Sequence, residues 1–394
     1  MAMTPAVVLG SGLGALGAMR LLNRAGIPTY LLPAAPALES RSRFARRLPG
    51  TNQTLASAPL AAILESTTLD RAVLIPCSDA VLAAMAQLPA ALAGRFPSST
   101  PAGDAVSMLT CKDRFATLLG QLGVPHPRTL VITAPQDLEA FAGTSFSHLF
   151  LKPVDSASFM RAYGVKGCRV RDLDDARRQL AKVQADGHRV IVQEFIPGPG
   201  SAHYLLDGFM DAGGKVRAMF ARRRLRMYPP DFGNSTLMAS VPLSEVAPAV
   251  DVLRRILAAA GYRGIFSAEF KRDERDGVLK ILEVNARVWI YVEFTGRCGI
   301  DVCTMSYRDA LGLPVADVPT YRTGVRMVCP YMDLAAVRYG WLHKEIRAWD
   351  WLRSWIGAQQ PAFSLSDPLP GLSDWAELAG RVLRRAWRGS GALL

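Results

Sequence analysis

The chain is short of lysine: arginine supplies 38 of its 46 basic residues and lysine only eight. A bias this strong reflects genome composition as much as function, and the formal charge of +12 carries the same qualification. A basic protein attracts polyanions, and nucleotides or phosphorylated intermediates qualify as readily as nucleic acid. Zinc-finger spacing, a basic helix with heptads and an aromatic–basic strand motif are all missing, which argues against specific nucleic-acid binding. No run of 18 apolar residues is free of charge, so no membrane span is expected. The start, MAMTPAVVLGSG, has no charged segment before its apolar run. That run leads into a glycine turn and reads as a first strand, not a signal peptide. The six cysteines (77, 111, 168, 298, 303 and 329) have no pair spacing. They read as free thiols of a cytoplasmic protein, mostly small core residues.

What is present has a clear order. Residues 5–105 alternate short apolar runs with Ala/Leu-rich stretches: strands at Ala6–Leu9, Thr29–Leu32 and Ala72–Ile75, and a helix at Leu16–Ala25. This is an α/β pattern with a parallel sheet. The turn Gly10-Ser11-Gly12-Leu13-Gly14 would let a ligand approach the backbone at a helix N-terminus. A dinucleotide site is one interpretation. Against it, the second strand ends at Leu31-Leu32-Pro33 with no acidic residue to hold a ribose, and Glu39 lies beyond a Pro/Ala stretch. After a Pro/Ser/Gly-rich connection at 97–103, a helix is expected over Ser107–Gly123, then strands at Leu149–Pro153 and Val190–Ile196. A hairpin over Ala202–Phe220 turning at Asp211–Gly214, the run Arg222-Arg223-Arg224-Leu225-Arg226 and a helix over Val246–Ala260 follow.

The most informative segment is FSAEFKRDERDGVLKILEVNARVW. Ile265–Phe270 and Val278–Val284 favour strands, with a turn at Arg275-Asp276-Gly277. A three-residue loop there pairs Glu269 with Glu283, whereas a two-residue Asp-Gly turn pairs it with Val284. Glu283 and Asn285 share a strand face. Two carboxylates and an amide oxygen converging in an apolar hairpin repel unless a cation neutralises them, and oxygen-only ligands suit Mg²⁺. A solvated polar face with a salt bridge from Arg287 is the plainer alternative.

Because lysine is scarce, Lys112 at a helix start and Lys152 inside an apolar strand carry weight, and a lysine in a buried strand needs an anionic partner. ATP phosphates would serve. Gln193, Glu194, Phe195 and Ile196 offer backbone groups, the Glu194 side chain and an apolar face to an adenine ring. The last 70 residues hold six of the seven tryptophans. Trp375, Leu378, Ala379, Val382, Leu383 and Trp387 fall at helical spacing, with Arg381, Arg384, Arg385 and Arg388 on other faces. Helices that pack back on the body or form a homodimer contact, and helices that dock on an anionic membrane, are both compatible with that pattern.

Taken in order, TCKDRFATLLGQLGVPHPRT, LFLKP, VIVQEFIPGPG, RRRLRMYPPDFGNST, SAEFK and LEVNARVW resemble the ATP-grasp superfamily over about residues 5–320. The segment Arg222–Thr236 resembles its carboxylate–amine ligase branch, which includes D-aspartate ligase-like enzymes and ATP-dependent carboligases. The resemblance implies an α/β and α+β fold: a Rossmann-like pre-ATP-grasp domain (1–105), a central lobe (106–195), a C-terminal lobe (196–320) and a Trp/Arg-rich helical extension (321–394). It implies that Lys112 and Lys152 bind ATP phosphates and that Gln193, Glu194, Phe195 and Ile196 hold adenine. Glu269, Glu283 and Asn285 would bind one or two Mg²⁺. Arg287 would steady the transferring phosphoryl group or the tetrahedral intermediate, and Arg226, or a neighbour in that run such as Arg224, would bind a substrate carboxylate or the acyl phosphate. Ser11, Gly12 and Ser235 are further substrate-pocket candidates. The stretch after Lys152, Asp155–Gly167, departs from the family's glycine-rich phosphate loop: its two glycines both stand at its end. The implied chemistry activates a small-molecule carboxylate as an acyl phosphate, which an amine then attacks, with ADP and phosphate released.

Overall fold

Three sheets organise the described residues. In this computed structural model, residues 3–101, 103–141, 149–154, 159, 162–163, 167–230, 233–342 and 346–388 are described. The first sheet is parallel, ordered β2-β1-β3, from β1 (Ala6–Leu9), β2 (Thr29–Leu32) and β3 (Val73–Pro76). Its strands read as unbroken apolar runs because both faces are covered, as parallel sheets require. Helix Gly12–Arg24 packs on one face, with Leu16, Met19 and Leu22 buried.

The second sheet, β4-β7-β5-β6, is antiparallel and comprises β4 (Thr129–Ile132), β5 (Leu149–Pro153), β6 (Cys168–Arg169) and β7 (Val190–Glu194). Helix Leu173–Ala185 contributes Ala176, Leu180 and Val183 to its core. The third sheet has six antiparallel strands in the order β12-β11-β8-β9-β10-β13. They are β8 (His203–Met210), β9 (Val216–Tyr228), β10 (Asn234–Val241), β11 (Gly264–Arg272), β12 (Leu279–Asn285) and β13 (Arg326–Val328). Helix Ala247–Ala259 presses Leu253, Ile256 and Leu257 onto one face, against Phe266, Phe270 and Ile281.

One expected element differs. The helix anticipated over Ser107–Gly123 is two helices, Gly103–Thr110 and Lys112–Leu122, separated by an extended Cys111. Gly123, at φ 60°, ends the second. The break puts Lys112 at a helix start, where its side chain reaches the end of β5.

The C-terminal helices Pro330–Leu342, Ala348–Trp355 and Leu369–Arg388 fold back on the body. Two buried polar hubs hold them. Arg20, only 2% exposed, bonds Asp367, Glu293 and the carbonyls of Pro361 and Ala362. Asp333 does the same for the sheet end of the extension. Trp349, Leu352 and Ile356 remain exposed, and among the described residues no helix is long and apolar enough to cross a membrane.

Candidate active site between the two antiparallel sheets

A cleft separates the second and third sheets. Lys112, Phe150, Lys152 and the run Gln193–Ile196 line it from one side. His203, Arg224, Asn234, Glu269, Lys271, Leu282 and Glu283 line it from the other. Lys152 lies near the end of β5 and donates from Nζ to Gln193 Oε1 at 2.7 Å, diagonally across on β7, where Gln193 itself pairs with Phe150. Lys112 Nζ donates to Pro153 O at 2.5 Å. Two ammonium groups 40 residues apart in sequence thus converge on one end of the cleft. Two cations approach the Phe195 ring, Lys271 Nζ at 4.5 Å and the Arg169 guanidinium at 4.8 Å from its centroid. The stretch expected to replace the phosphate loop lies mostly outside the described residues.

The acidic hairpin does pair Glu269 with Glu283, but not through a three-residue loop. The connection is longer: Asp273 N–H donates to Val278 O, and Gly277, at φ 71°, donates to Asp273 O. That turn pairs Phe270 with Ile281, and a bulge at Leu282 then shifts the register so that Glu269 meets Glu283. The bulge has a second effect. Leu279 and Ile281 point into the core, as do Val284 and Ala286, while Leu282 and Glu283 both face the cleft. With straight alternation Glu283 would follow Ile281 into the core.

Glu269 is already engaged. Its Oε1 accepts from His203 Nδ1 at 2.6 Å and lies 3.2 Å from Arg224 Nη2. Burial disfavours its charge, but Arg224 and the His203 bond outweigh burial, and the carboxyl sits well below the usual range. His203 is itself buried, which pushes its pKa down despite Glu269 and favours the neutral ring at neutral pH. Among the described residues its Nε2 has no hydrogen-bond partner. Asn285 Nδ2 lies 3.4 Å from Glu283 Oε1. Among the described residues no cluster of three or more His, Cys, Asp or Glu could hold a metal. The donor set at the hairpin is two carboxylates and an amide, which fits a Mg²⁺ ion that completes its shell from phosphate and water.

Arg222, Arg224 and Arg226 share one face of β9, and each meets a different carboxylate: Asp207, Glu269 and Asp333. Only the middle pair lines the cleft. Arg226, the first candidate of the run for a substrate carboxylate, does not line the cleft. Its guanidinium forks onto Asp333, Nε to Oδ1 at 2.9 Å and Nη2 to Oδ2 at 2.8 Å. Arg224 is the arginine of the run that faces the cleft, with Nε donating to Ser235 Oγ at 3.0 Å. Arg287 donates to both oxygens of Asp79, at 2.9 and 3.1 Å, and to Asn285 Oδ1 at 3.2 Å. A chain of contacts thus runs from Glu283 to the start of the helix that follows β3. Asp79 was missed in the sequence, where it reads as an ordinary helix start.

Ser11 and Gly12 do not line the cleft. Ser11 Oγ donates to Ala35 O, and the Gly12 N–H donates to Glu39 Oε2 at 2.8 Å. A buried carboxylate thus occupies the helix N-terminus where a dinucleotide's pyrophosphate would sit, which removes the dinucleotide interpretation.

No family model matches the chain. Among curated proteins it is 24% identical over 187 residues to a D-aspartate ligase of Enterococcus faecium, covering 45% of this chain and 44% of that protein. It is 25% identical over 202 residues to a D-alanine–D-alanine ligase of Acidiphilium cryptum, covering 50% of this chain and 65% of that one. The chain thus spans less than two thirds of each relative's length. Among solved structures, a biotin carboxylase–β,γ-ATP complex from Campylobacter jejuni matches with a TM-score of 0.65 and 14% identity, covering 82% of this chain and 74% of that one. The fold is the ATP-grasp fold, with the parallel and antiparallel sheets and helical C-terminus described above.

Proposed function

We propose that this protein is an ATP- and Mg²⁺-dependent ligase that activates a carboxylate as an acyl phosphate and joins it to an amine, releasing ADP and phosphate. The observation that supports this most is the cleft, where Lys112, Lys152 and Gln193–Ile196 face Arg224, Glu269 and Glu283. Amino acids or peptide-like molecules are the substrates this reading favours, because two relatives are ligases of amino acids.

In this account Lys112 and Lys152 neutralise the phosphates, exchanging their present carbonyl and Gln193 partners for phosphate oxygens. Gln193–Ile196 hold the base. Glu269, Glu283 and Asn285 would hold Mg²⁺, which offsets charge on the phosphates when bound. Arg224, not Arg226, takes the substrate carboxylate or the acyl phosphate, because it is the guanidinium that reaches the cleft. Arg287, oriented by Asp79 and Asn285, offsets charge on the transferring phosphoryl group. The amine then attacks the acyl carbon, a C–N bond forms, and phosphate leaves with the C–O electron pair.

The test mixes the protein with ATP, Mg²⁺ and a pool of amino acids and measures ADP and phosphate. Release stimulated by a carboxylate–amine pair, and lost in Glu283→Gln with the fold intact, is the expected result. Folded protein that no pair stimulates, or an active Glu283→Gln variant, contradicts the reading.

A further inference from the structure

The turn between β11 and β12 carries a side chain that the proposed chemistry does not use. Arg275 is anchored from below by Asp273, which is fully buried. The Arg275 N–H and Nε donate to Asp273 Oδ1 at 3.0 and 2.9 Å, and Nη2 donates to Oδ2 at 2.5 Å. Lys280 Nζ donates to the same Oδ2 at 2.6 Å. Burial opposes the charge on Asp273, but the hydrogen bonds from Arg275 and Lys280 outweigh it and hold the carboxyl well below its usual range.

Thus fixed, Arg275 crosses to the other lobe. Its Nη2 lies 2.5 Å from Glu194 Oε1, at the end of β7. The other oxygen, Oε2, accepts from the Arg128 N–H at 3.2 Å. Glu194 is therefore held at both oxygens by two separate elements, and it lines the cleft beside Phe195 and Ile196. A carboxylate held in this way is an acceptor only. It attracts an exocyclic amino group and repels a carbonyl oxygen at the same place.

We propose that Arg275 is a base-specificity residue acting through Glu194: it fixes that carboxylate as an acceptor at the cleft, so that a purine with a 6-amino group is preferred over a 6-oxo purine. The proposal rests on the reading of the cleft as an ATP site. It also joins the two ends of that site, because one hairpin carries Glu269 and Glu283 on its strands and Arg275 at its tip. Arg275 is a positioning residue, not a catalytic one. The competing view is a plain surface ion pair, since the Arg275 side chain is 46% exposed and such pairs contribute little to stability.

The test is calorimetric titration of the full chain with Mg-ATP and with Mg-ITP, whose hypoxanthine base presents a 6-oxo group. Arg275→Ala should weaken ATP binding about fivefold and leave ITP nearly unchanged, so the ATP preference falls by the same factor, as expected for one charge-assisted contact. Arg275→Lys should restore part of it, and Glu194→Gln, which can donate to O6, should move the preference toward ITP. An equal loss for both nucleotides, or none for either, overturns the proposal while leaving the ATP site standing. Wild-type protein that binds no ATP overturns the site itself, and the proposal with it.

Discussion

Asp333 offers the sharpest structural test. It is fully buried and accepts five hydrogen bonds: two from Arg226, one from Thr236, and one each from Trp351 and Trp355. Burial opposes its charge, but Arg226 and the hydroxyl and indole donors hold it below the usual range. Helix Ala348–Trp355 has no buried residue of its own, so its attachment depends on this carboxylate and on the edge-to-face stack of Trp341, Trp351, Trp355 and Trp375. Asp333→Ala leaves a nearly buried guanidinium without its counter-charge, which costs about 3–5 kcal/mol. Because six of the seven tryptophans lie after residue 340, tryptophan emission followed through a urea titration reports chiefly on the extension. The expected result is a red-shifted emission maximum and a first transition at much lower urea. The double variant Arg226→Met, Asp333→Leu should recover part of the loss, since it removes the unpaired buried charge but leaves the Thr236, Trp351 and Trp355 donors without their acceptor. A single variant within about 0.5 kcal/mol of the parent, the range of an inconsequential surface change, would refute the anchoring role.

Other expectations follow from the same geometry. Lys152→Met should weaken ATP binding at least tenfold, the cost of a lost charge-assisted contact to phosphate, while thermal stability holds; titration calorimetry and melting scans check the pair. Arg287→Ala should keep ATP binding and lose ligation, because its partners are Asp79 and Asn285 and not the lysine end of the cleft; loss of ATP binding in that variant would contradict its assigned role. Asp273 and Asp333 both have folded-state pKa values below the unfolded value of about 4. The stability they contribute is present above that value and lost as pH falls through the folded one. Urea midpoints should therefore be flat near neutrality and fall below about pH 4, less steeply in Asp333→Asn.

Much of this was legible in the chain, for reasons particular to each element. Ala6–Leu9 and Thr29–Leu32 are apolar runs bounded by Pro and Gly, so their ends follow from local chemistry. The cleft lysines stood out because lysine is rare. The bulge was legible in principle: apolar positions 279 and 281 change phase to 284 and 286, which a uniform strand does not do. Other features depended on partners far away in sequence. Arg222, Arg224 and Arg226 look alike in the run, and only Asp333, more than 100 residues later, withdraws Arg226 from the cleft. His203, which supports Glu269 across adjacent strands, follows a Pro/Gly stretch that gives no sign of its role. Asp79 and Arg275 are helix-start and turn residues whose significance lies wholly in the groups they meet far away in sequence.

The central claim, that the cleft uses ATP to make an acyl phosphate, has one direct measurement. The protein is incubated with ATP, Mg²⁺ and a pool of amino acids labelled with oxygen-18 in their carboxyl groups, and the released phosphate is analysed by mass spectrometry. Transfer of one labelled oxygen into phosphate is the predicted result, because the carboxylate oxygen that attacks the γ-phosphorus leaves with it. Phosphate released at the stimulated rate without label would contradict the account.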